Sequence, residues 1–173
     1  MIGLENKTLK SKRLTYRLLD ATDKEALYEL LSDKIVTEPA GFTPAASKAE
    51  FDEFFAELTQ YNTGIAILSG NTLIGYINVN KYISDFPEYS GKKCVSTGFV
   101  IGKSYQNQGY ATETLETVTS YLKQSFDYCF ADHFEDNEPS KKVIEKCGYR
   151  YFEKYTMFFE KLGKEITCLS YVY

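Results

Sequence analysis

Seven residues in the middle of the chain, Gln106-Asn107-Gln108-Gly109-Tyr110-Ala111-Thr112, join a polar turn and a glycine to the start of an amphipathic stretch. Such a turn exposes several backbone N–H groups at the positive end of the helix that follows. An anion is stabilised there, and a pyrophosphate has a suitable size. Gly109 omits a side chain where phosphates must approach the backbone, and Ala111 lets the helix lie close to its neighbours. The same residues also suit a turn that merely admits the chain into a helix. Other phosphate patterns fit worse. Gly102-Lys103-Ser104 ends like a P-loop, but that motif needs glycine at position 97, which is Thr97, and Gly98 comes one residue late. The segment carries no G-x-G-x-x-G. A metal centre is not expected either: Cys94, Cys129, Cys147 and Cys168 form no C-x-x-C pair, and the chain has one His.

The elements that must position this turn can be read from hydrophobic periodicity. Cys94 to Ile101 reads as the strand before it, and Ala111, Leu115, Val118 and Leu122 mark one face of the helix after it. Upstream, Leu14 to Leu18 reads as a first strand. Thr22 to Glu25 and Ser47 to Glu50 read as capping boxes opening two helices. Leu27, Leu30 and Leu31 share a face of the first; Phe51, Phe54, Phe55 and Leu58 share a face of the second. Residues 33–46 and 83–92 read as loops. Gly64–Ser69 and Thr72–Tyr82 read as a hairpin about Gly70-Asn71. Downstream, Tyr128 to Phe134 is nearly continuous in apolar residues and reads as a central strand. Glu138-Pro139 opens a helix with Val143, Ile144 and Cys147 inward and Gly148 at its C-terminal cap. Residues 150–161 and 165–173 close the chain as a hairpin. Strands alternating with helices in this order predict an α/β domain on a mixed sheet of about seven strands with four helices.

The bulk composition agrees. A chain of 173 residues suits a single domain spanning 1–173. A chain of that length hides roughly 70% of its unfolded surface, so it needs no metal or disulfide staple. Apolar residues make up 43% and the net charge is −4, which leaves no basic footprint for nucleic acid. No apolar run approaches the ~20 residues that span a membrane, and the start lacks the apolar core of a secretory signal. Free thiols and a cytoplasmic location are the simplest expectation; monomer and homodimer both stay open.

The residues from Gln106 to Ala111 resemble the acetyl-CoA signature [QR]-x-x-G-x-[GA] of the GNAT superfamily of N-acetyltransferases. The longer stretch Tyr105 to Glu113 resembles the "yWGkGyAtEa" segment of RimJ/RimL-type enzymes. Asn137-Glu138-Pro139-Ser140 with Val143, Lys146, Gly148 and Tyr149 is similar to their "N-x-x-S-x-x-v-x-e-K-x-G-F" block. Leu9, Ser11, Arg13, Leu14 and Arg17 are similar to their "L-x-T-x-R-L-x-L-R" start. The resemblance covers nearly the whole chain, in order.

It implies a GNAT fold in which the strand at 94–101 splays from the strand at 128–134 to hold acetyl-CoA. Amides of Gln106, Asn107, Gln108, Gly109, Tyr110, Ala111 and Thr112 would wrap the pyrophosphate. The backbone of Phe99, Val100 and Ile101 would bond the pantetheine arm as an added strand does, with Asn137 on its other side. Asn137 also reads as a helix cap. Ser140 would protonate or stabilise the departing thiolate, unless it only caps the first helical turn. The family often has Glu in an E-x-G-Y/F pattern on the strand at 94–101. Here the pattern reads Ser96-Thr97-Gly98-Phe99, so Glu38 or Glu88 in flanking loops, or a chain of waters, would have to substitute.

That departure bears on the acceptor. An α-amine has a pKa of about 7.7–8.0 and lysine about 10.4, so at neutral pH far more of the α-amine is already unprotonated. A weak base therefore favours a protein or peptide N-terminus. A polyamine, amino acid or drug is the alternative, with the 33–46 and 83–92 loops expected to line the acceptor groove. A CoA-binding sensor without catalysis is the alternative of another class.

Overall fold

The computed structural model describes residues 2–40, 47–160 and 163–173. Eight strands form one sheet. They are β1 (Leu9–Lys10), β2 (Thr15–Leu18), β3 (Gly64–Ser69), β4 (Thr72–Tyr82), β5 (Cys94–Ile101), β6 (Tyr128–Phe134), β7 (Arg150–Phe159) and β8 (Lys164–Val172). Their order across the sheet is β1-β2-β3-β4-β5-β6-β8-β7. Every neighbouring pair is antiparallel except β5 and β6, which run parallel. Among the described residues five α-helices cover the sheet: α1 (Lys24–Ser32), α2 (Lys34–Thr37), α3 (Lys48–Gln60), α4 (Tyr110–Leu122) and α5 (Glu138–Lys146).

Strand alternation sends side chains to two separate cores. On β3, Ile65 and Ile67 pack in one core with Leu115, Val118 and Leu122 of α4 and Ile144 of α5. Ala66 and Leu68 pack in the other with Leu27 and Leu31 of α1 and Phe51, Phe55 and Leu58 of α3. Each fully buried Leu, Ile or Phe is worth roughly 1.5–3 kcal/mol, which explains why both faces of the central strands are apolar. A third cluster, built on Tyr89, Cys94, Phe130 and Val172, closes the sheet below the parallel pair.

Four expectations need adjustment. The eighth strand is β1, two residues that pair Leu9 with Tyr16 and Lys10 with Thr15. The first capping box sits two residues earlier than Thr22: Asp20 accepts from the Thr22 N–H at 2.8 Å, and Asp23 accepts from the Asp20 N–H at 2.9 Å. Asp23 is pinned there because Arg17 grips it with two bonds, at 2.6 and 2.9 Å. Residues 34–40 are helical rather than looped, since Asp33 caps the Ile35 N–H at 2.9 Å and Val36 enters the second core. In the closing hairpin β7 ends at Phe159 and β8 begins at Lys164, against the expected bounds of 161 and 165, with 161–162 outside the described residues. Among the described residues no helix is long and apolar enough to cross a membrane.

Candidate active site

The parallel pairing of β5 with β6 runs through Cys94↔Tyr128, Val95↔Cys129, Ser96↔Phe130 and Thr97↔Ala131, and stops there. Beyond it β5 continues along β4, with Gly98↔Asn78, Phe99↔Ile77, Val100↔Tyr76 and Ile101↔Gly75. β6 continues along β8, with Asp132↔Ser170 and His133↔Leu169. The two strands part company within the sheet, and a cleft of about 720 Å³ opens between them.

Phe99, Val100 and Ile101 form one wall of this cleft. The Val100 and Ile101 side chains are buried in opposite cores, so these residues present backbone to the opening. At its upper end lies the turn before α4. Asn107 (φ 59°) and Gly109 (φ 79°) both take left-handed backbone, and Gly109 caps the helix with no side-chain hydrogen bond. The first N–H groups of α4 are therefore free of side-chain caps, and a helix start of this kind attracts an anion. Glu113, an acid in that first turn, would oppose an anion, but it points elsewhere. Its carboxylate accepts from Ser11 Oγ at 2.6 Å, the Arg13 amide at 2.7 Å and Arg13 Nε at 2.6 Å. Burial pushes the Glu113 carboxyl up, but the hydrogen bonds from Ser11 and Arg13 outweigh burial and hold it below its ordinary value.

Gln106, Asn107, Gly109, Tyr110, Ala111 and Thr112 all line the cleft. Gln106 braces the turn by donating to the Ile101 carbonyl at 3.0 Å. Gln108 stands outside the lining. Its side chain donates to the Ser104 carbonyl at 2.9 Å, and its own carbonyl accepts from Arg13 Nη1 at 2.9 Å. Across the opening, Asn137 lines the cleft and spends both ends of its amide. Oδ1 caps the Ser140 N–H at 3.1 Å, and Nδ2 donates to the Pro39 carbonyl at 2.6 Å, tying α5 to the turn after α2. With Asn137 as the cap of α5, Ser140 does not cap it. Ser140 Oγ is half-buried at the cleft and makes no hydrogen bond among the described residues.

Ser96 lies in the paired part of β5, opposite Phe130, and does not line the cleft. Glu38 and Glu88 are exposed and do not line it either. Of the two loops expected around an acceptor, 33–46 contributes Ile35, Val36, Pro39 and Ala40, with 41–46 outside the described residues. Residues 83–92 border a different recess.

Residues that sequence reasoning missed also meet here. Asn78 of β4 faces Gly98; its amide oxygen is buried, makes no hydrogen bond among the described residues, and lies 2.7 Å from where a Cβ on Gly98 would stand. Asp132, His133, Tyr155 and Cys168 line the lower end of the cleft. The available signal was Asp132 itself, a carboxylate beside the chain's one histidine, His133, in a largely apolar central strand.

The acetyltransferase (GNAT) domain family matches residues 13–150. The uncharacterized N-acetyltransferase YnaD of Bacillus subtilis is 29% identical over 154 residues, covering 84% of this chain and 86% of that protein. Among solved structures, a GNAT-family acetyltransferase of Bacillus anthracis superposes with a TM-score of 0.79 at 24% identity, over 96% of this chain and 97% of that one. Spermidine N-acetyltransferase of Vibrio cholerae, in complex with CoA and spermine, superposes with a TM-score of 0.77 at 15% identity, over 94% and 96%. A turn open to anions beside a sheet that parts at one parallel pair is what that family's chemistry requires, and the chain belongs to the GNAT acetyltransferase domain family, enzymes that move the acetyl group of acetyl-CoA onto an amine.

Proposed function

We propose that this enzyme acetylates the α-amine of a protein or peptide N-terminus, with acetyl-CoA held in the cleft between β5 and β6. The amides of residues 107–112 take the pyrophosphate, that of Gln106 donating instead to the Lys103 carbonyl at 3.3 Å. The pantetheine arm lies along Phe99, Val100 and Ile101 and passes Asn137. Ser140 Oγ stands free to hydrogen-bond the departing sulfur, a contact that gains strength as charge develops on it.

One observation carries the choice of amine. The part of β5 that faces the cleft, Gly98 to Ile101, holds no titratable side chain, Ser96 lies outside the cleft, and the one carboxylate among the described lining residues, Asp132, is a weak base beside a lysine amine. An amine that is already partly neutral suits such a site. An α-amine with a pKa of about 7.7–8.0 meets that condition and a lysine at about 10.4 does not. Thiol release from acetyl-CoA at pH 7, with free peptides, N-terminally blocked lysine peptides, polyamines and amino acids as acceptors, tests the reading. Free peptides should give the highest kcat/KM. A polyamine in first place would overturn the choice of acceptor and leave the transfer itself intact.

A further inference from the structure

Where β5 and β6 part, the sheet carries a polar row between two apolar ones. Directly paired residues of neighbouring strands share a face. The row Phe130↔Val172 is buried and apolar up to the exposed Arg150 of β7. The next row on that face is Asp132↔Ser170↔Glu153, and the one after it is Phe134↔Cys168↔Tyr155. Asp132 is the first residue of β6 beyond the last pair with β5, and its side chain lines the cleft directly across from Gly98. Nothing in the local fold requires a carboxylate there. No cation pairs with it among the described residues; Tyr155 Oη donates to its Oδ2 at 3.4 Å, and the Ser170 hydroxyl is also in contact. Between the buried Ala131 and His133, Asp132 is exposed into the cleft, so its carboxylate, without a cation of its own, stands open to whatever enters there, and perturbed groups in clefts cluster where chemistry is done.

We propose that Asp132 is the catalytic residue that takes the proton from the acceptor amine. This rests on the proposed function above and supplies the base that the Ser96 position lacks. The amine arrives as ammonium, and its positive charge is drawn to the unpaired carboxylate. One N–H proton passes to Asp132. The freed lone pair forms the C–N bond to the acetyl carbonyl carbon, and the C–S bond breaks. The electron pair of that bond leaves with sulfur, which takes up the second proton shed by nitrogen, directly or through Ser140, and departs as CoA thiol. Asp132 returns its proton to solvent, so the overall step releases one proton with each amide formed.

The surroundings suit a base rather than a fixed anion. The side chain is open only toward the cleft, and the desolvating walls around it raise the Asp132 carboxyl, while hydrogen bonds from Ser170 and Tyr155 and the neighbouring His133 moderate the rise. Glu153 of β7 faces it and is raised by burial and by the charge of Asp132. Tyr82 of β4, Tyr155 and Cys168 are raised too, each first by burial and then in part by the same charge. A carboxylate lifted toward neutrality accepts a proton from an α-amine more readily than an ordinary one does.

The test compares the parent with Asp132→Asn, which keeps the shape and can still bond Tyr155. The acceptors are a free tetrapeptide, glycinamide and spermidine, with acetyl-CoA binding followed by thermal shift. In the parent, kcat/KM should be level between the pKa of Asp132 and that of the amine, because carboxylate and ammonium together are the reactive pair. In Asp132→Asn only neutral amine reacts, so kcat/KM should fall by about 10²–10⁴-fold and climb tenfold per pH unit up to the amine pKa. The loss should shrink as the amine pKa falls. Acetyl-CoA should stabilise both proteins equally. In the protein alone, a 13C titration of the Asp132 carboxyl should give a midpoint above the ordinary aspartate range, moved further up by Tyr155→Phe. A loss below threefold, a loss equal for all amines, an ordinary carboxyl midpoint, or no turnover of any of the three by the parent with acetyl-CoA bound would each overturn the proposal. Failure of the parent to bind acetyl-CoA would instead overturn the function on which it rests.

Discussion

Arg13 holds Glu113 from two directions at once, through its side-chain Nε at 2.6 Å and its own amide at 2.7 Å. The same guanidinium donates to the Gln108 carbonyl at 2.9 Å and lies 4.3 Å above the Tyr110 ring. One residue of the N-terminal segment thus fixes the turn, the first ring of α4 and the acid that would otherwise oppose a phosphate.

Replacing Arg13 by Ala should release the turn and the Tyr110 ring and loosen Glu113, which keeps its bonds from the residue-13 amide and Ser11. Hydrogen bonds to charged groups are worth about 1.5–3 kcal/mol when well placed, and Arg13 is partly exposed, which lowers that figure. We expect acetyl-CoA to bind about tenfold more weakly, measured by calorimetry, with the fold retained by circular dichroism.

Glu113 gives the same contact a pH signature. Its carboxyl sits below its ordinary value in the folded chain. The stability it contributes is therefore complete above its unfolded pKa, near 4.3 for a free Glu, and is lost as pH falls through the lower folded value. The parent should melt higher than Glu113→Gln at pH 7, and the gap should close as pH falls below about 4. A gap that stays constant across this range would show that the carboxylate charge plays no part.

Gly109 should tolerate little. A Cβ there would meet only Arg13 Nη2, at 3.5 Å, so space is not the obstacle within the protein. The φ of 79° is, because a β-branched residue in left-handed backbone costs roughly 1–2 kcal/mol. Gly109→Val should lower the melting temperature and weaken acetyl-CoA binding. Gly109→Asn, which accepts that φ far better, should keep the melting temperature and still bind more weakly. Binding equal to the parent in Gly109→Asn would make the glycine a requirement of the turn alone.

Ser140→Ala should lower kcat with little change in the acetyl-CoA KM, by about 10²–10⁴-fold if the hydroxyl assists sulfur departure. Since Asn137 caps α5, the variant should melt at the parent's temperature. Asn137→Ala should show the opposite pattern, losing a cap worth about 1 kcal/mol together with the bond to Pro39. If kcat survives in Ser140→Ala, solvent or a tyrosine protonates the thiolate.

Much of this could be read from the chain itself, and the reasons are local. Gly70-Asn71 marks a two-residue hairpin turn, and β3 and β4 flank it as expected. Apolar steps of four, three and four residues revealed the face of α4, and a glycine before a helix revealed the anion turn. What escaped depends on contacts distant in sequence. Arg13 meets Glu113 across 100 positions, and Asn137 meets Pro39 across 98. Asp132 was passed over because its strand is largely apolar, and only the parting of β5 from β6 turns a charge in a central strand into a charge on a cleft. The splay itself was expected from the resemblance; where it begins, at Thr97 and Ala131, required the register.

That register also describes a seam. Panels β1 to β5 and β6, β8, β7 are stitched together at Cys94, Val95, Ser96 and Thr97 and nowhere further along β5. With the pantetheine arm laid along Phe99 to Ile101 as proposed, the substrate serves as the missing stitch and the two panels stiffen together. The spent carrier keeps that same arm after the acetyl group has gone. On that proposal each cycle ends with the enzyme unpicking backbone bonds that acetyl transfer did nothing to loosen, and departure of the carrier, rather than formation of the amide, falls under the control of the sheet.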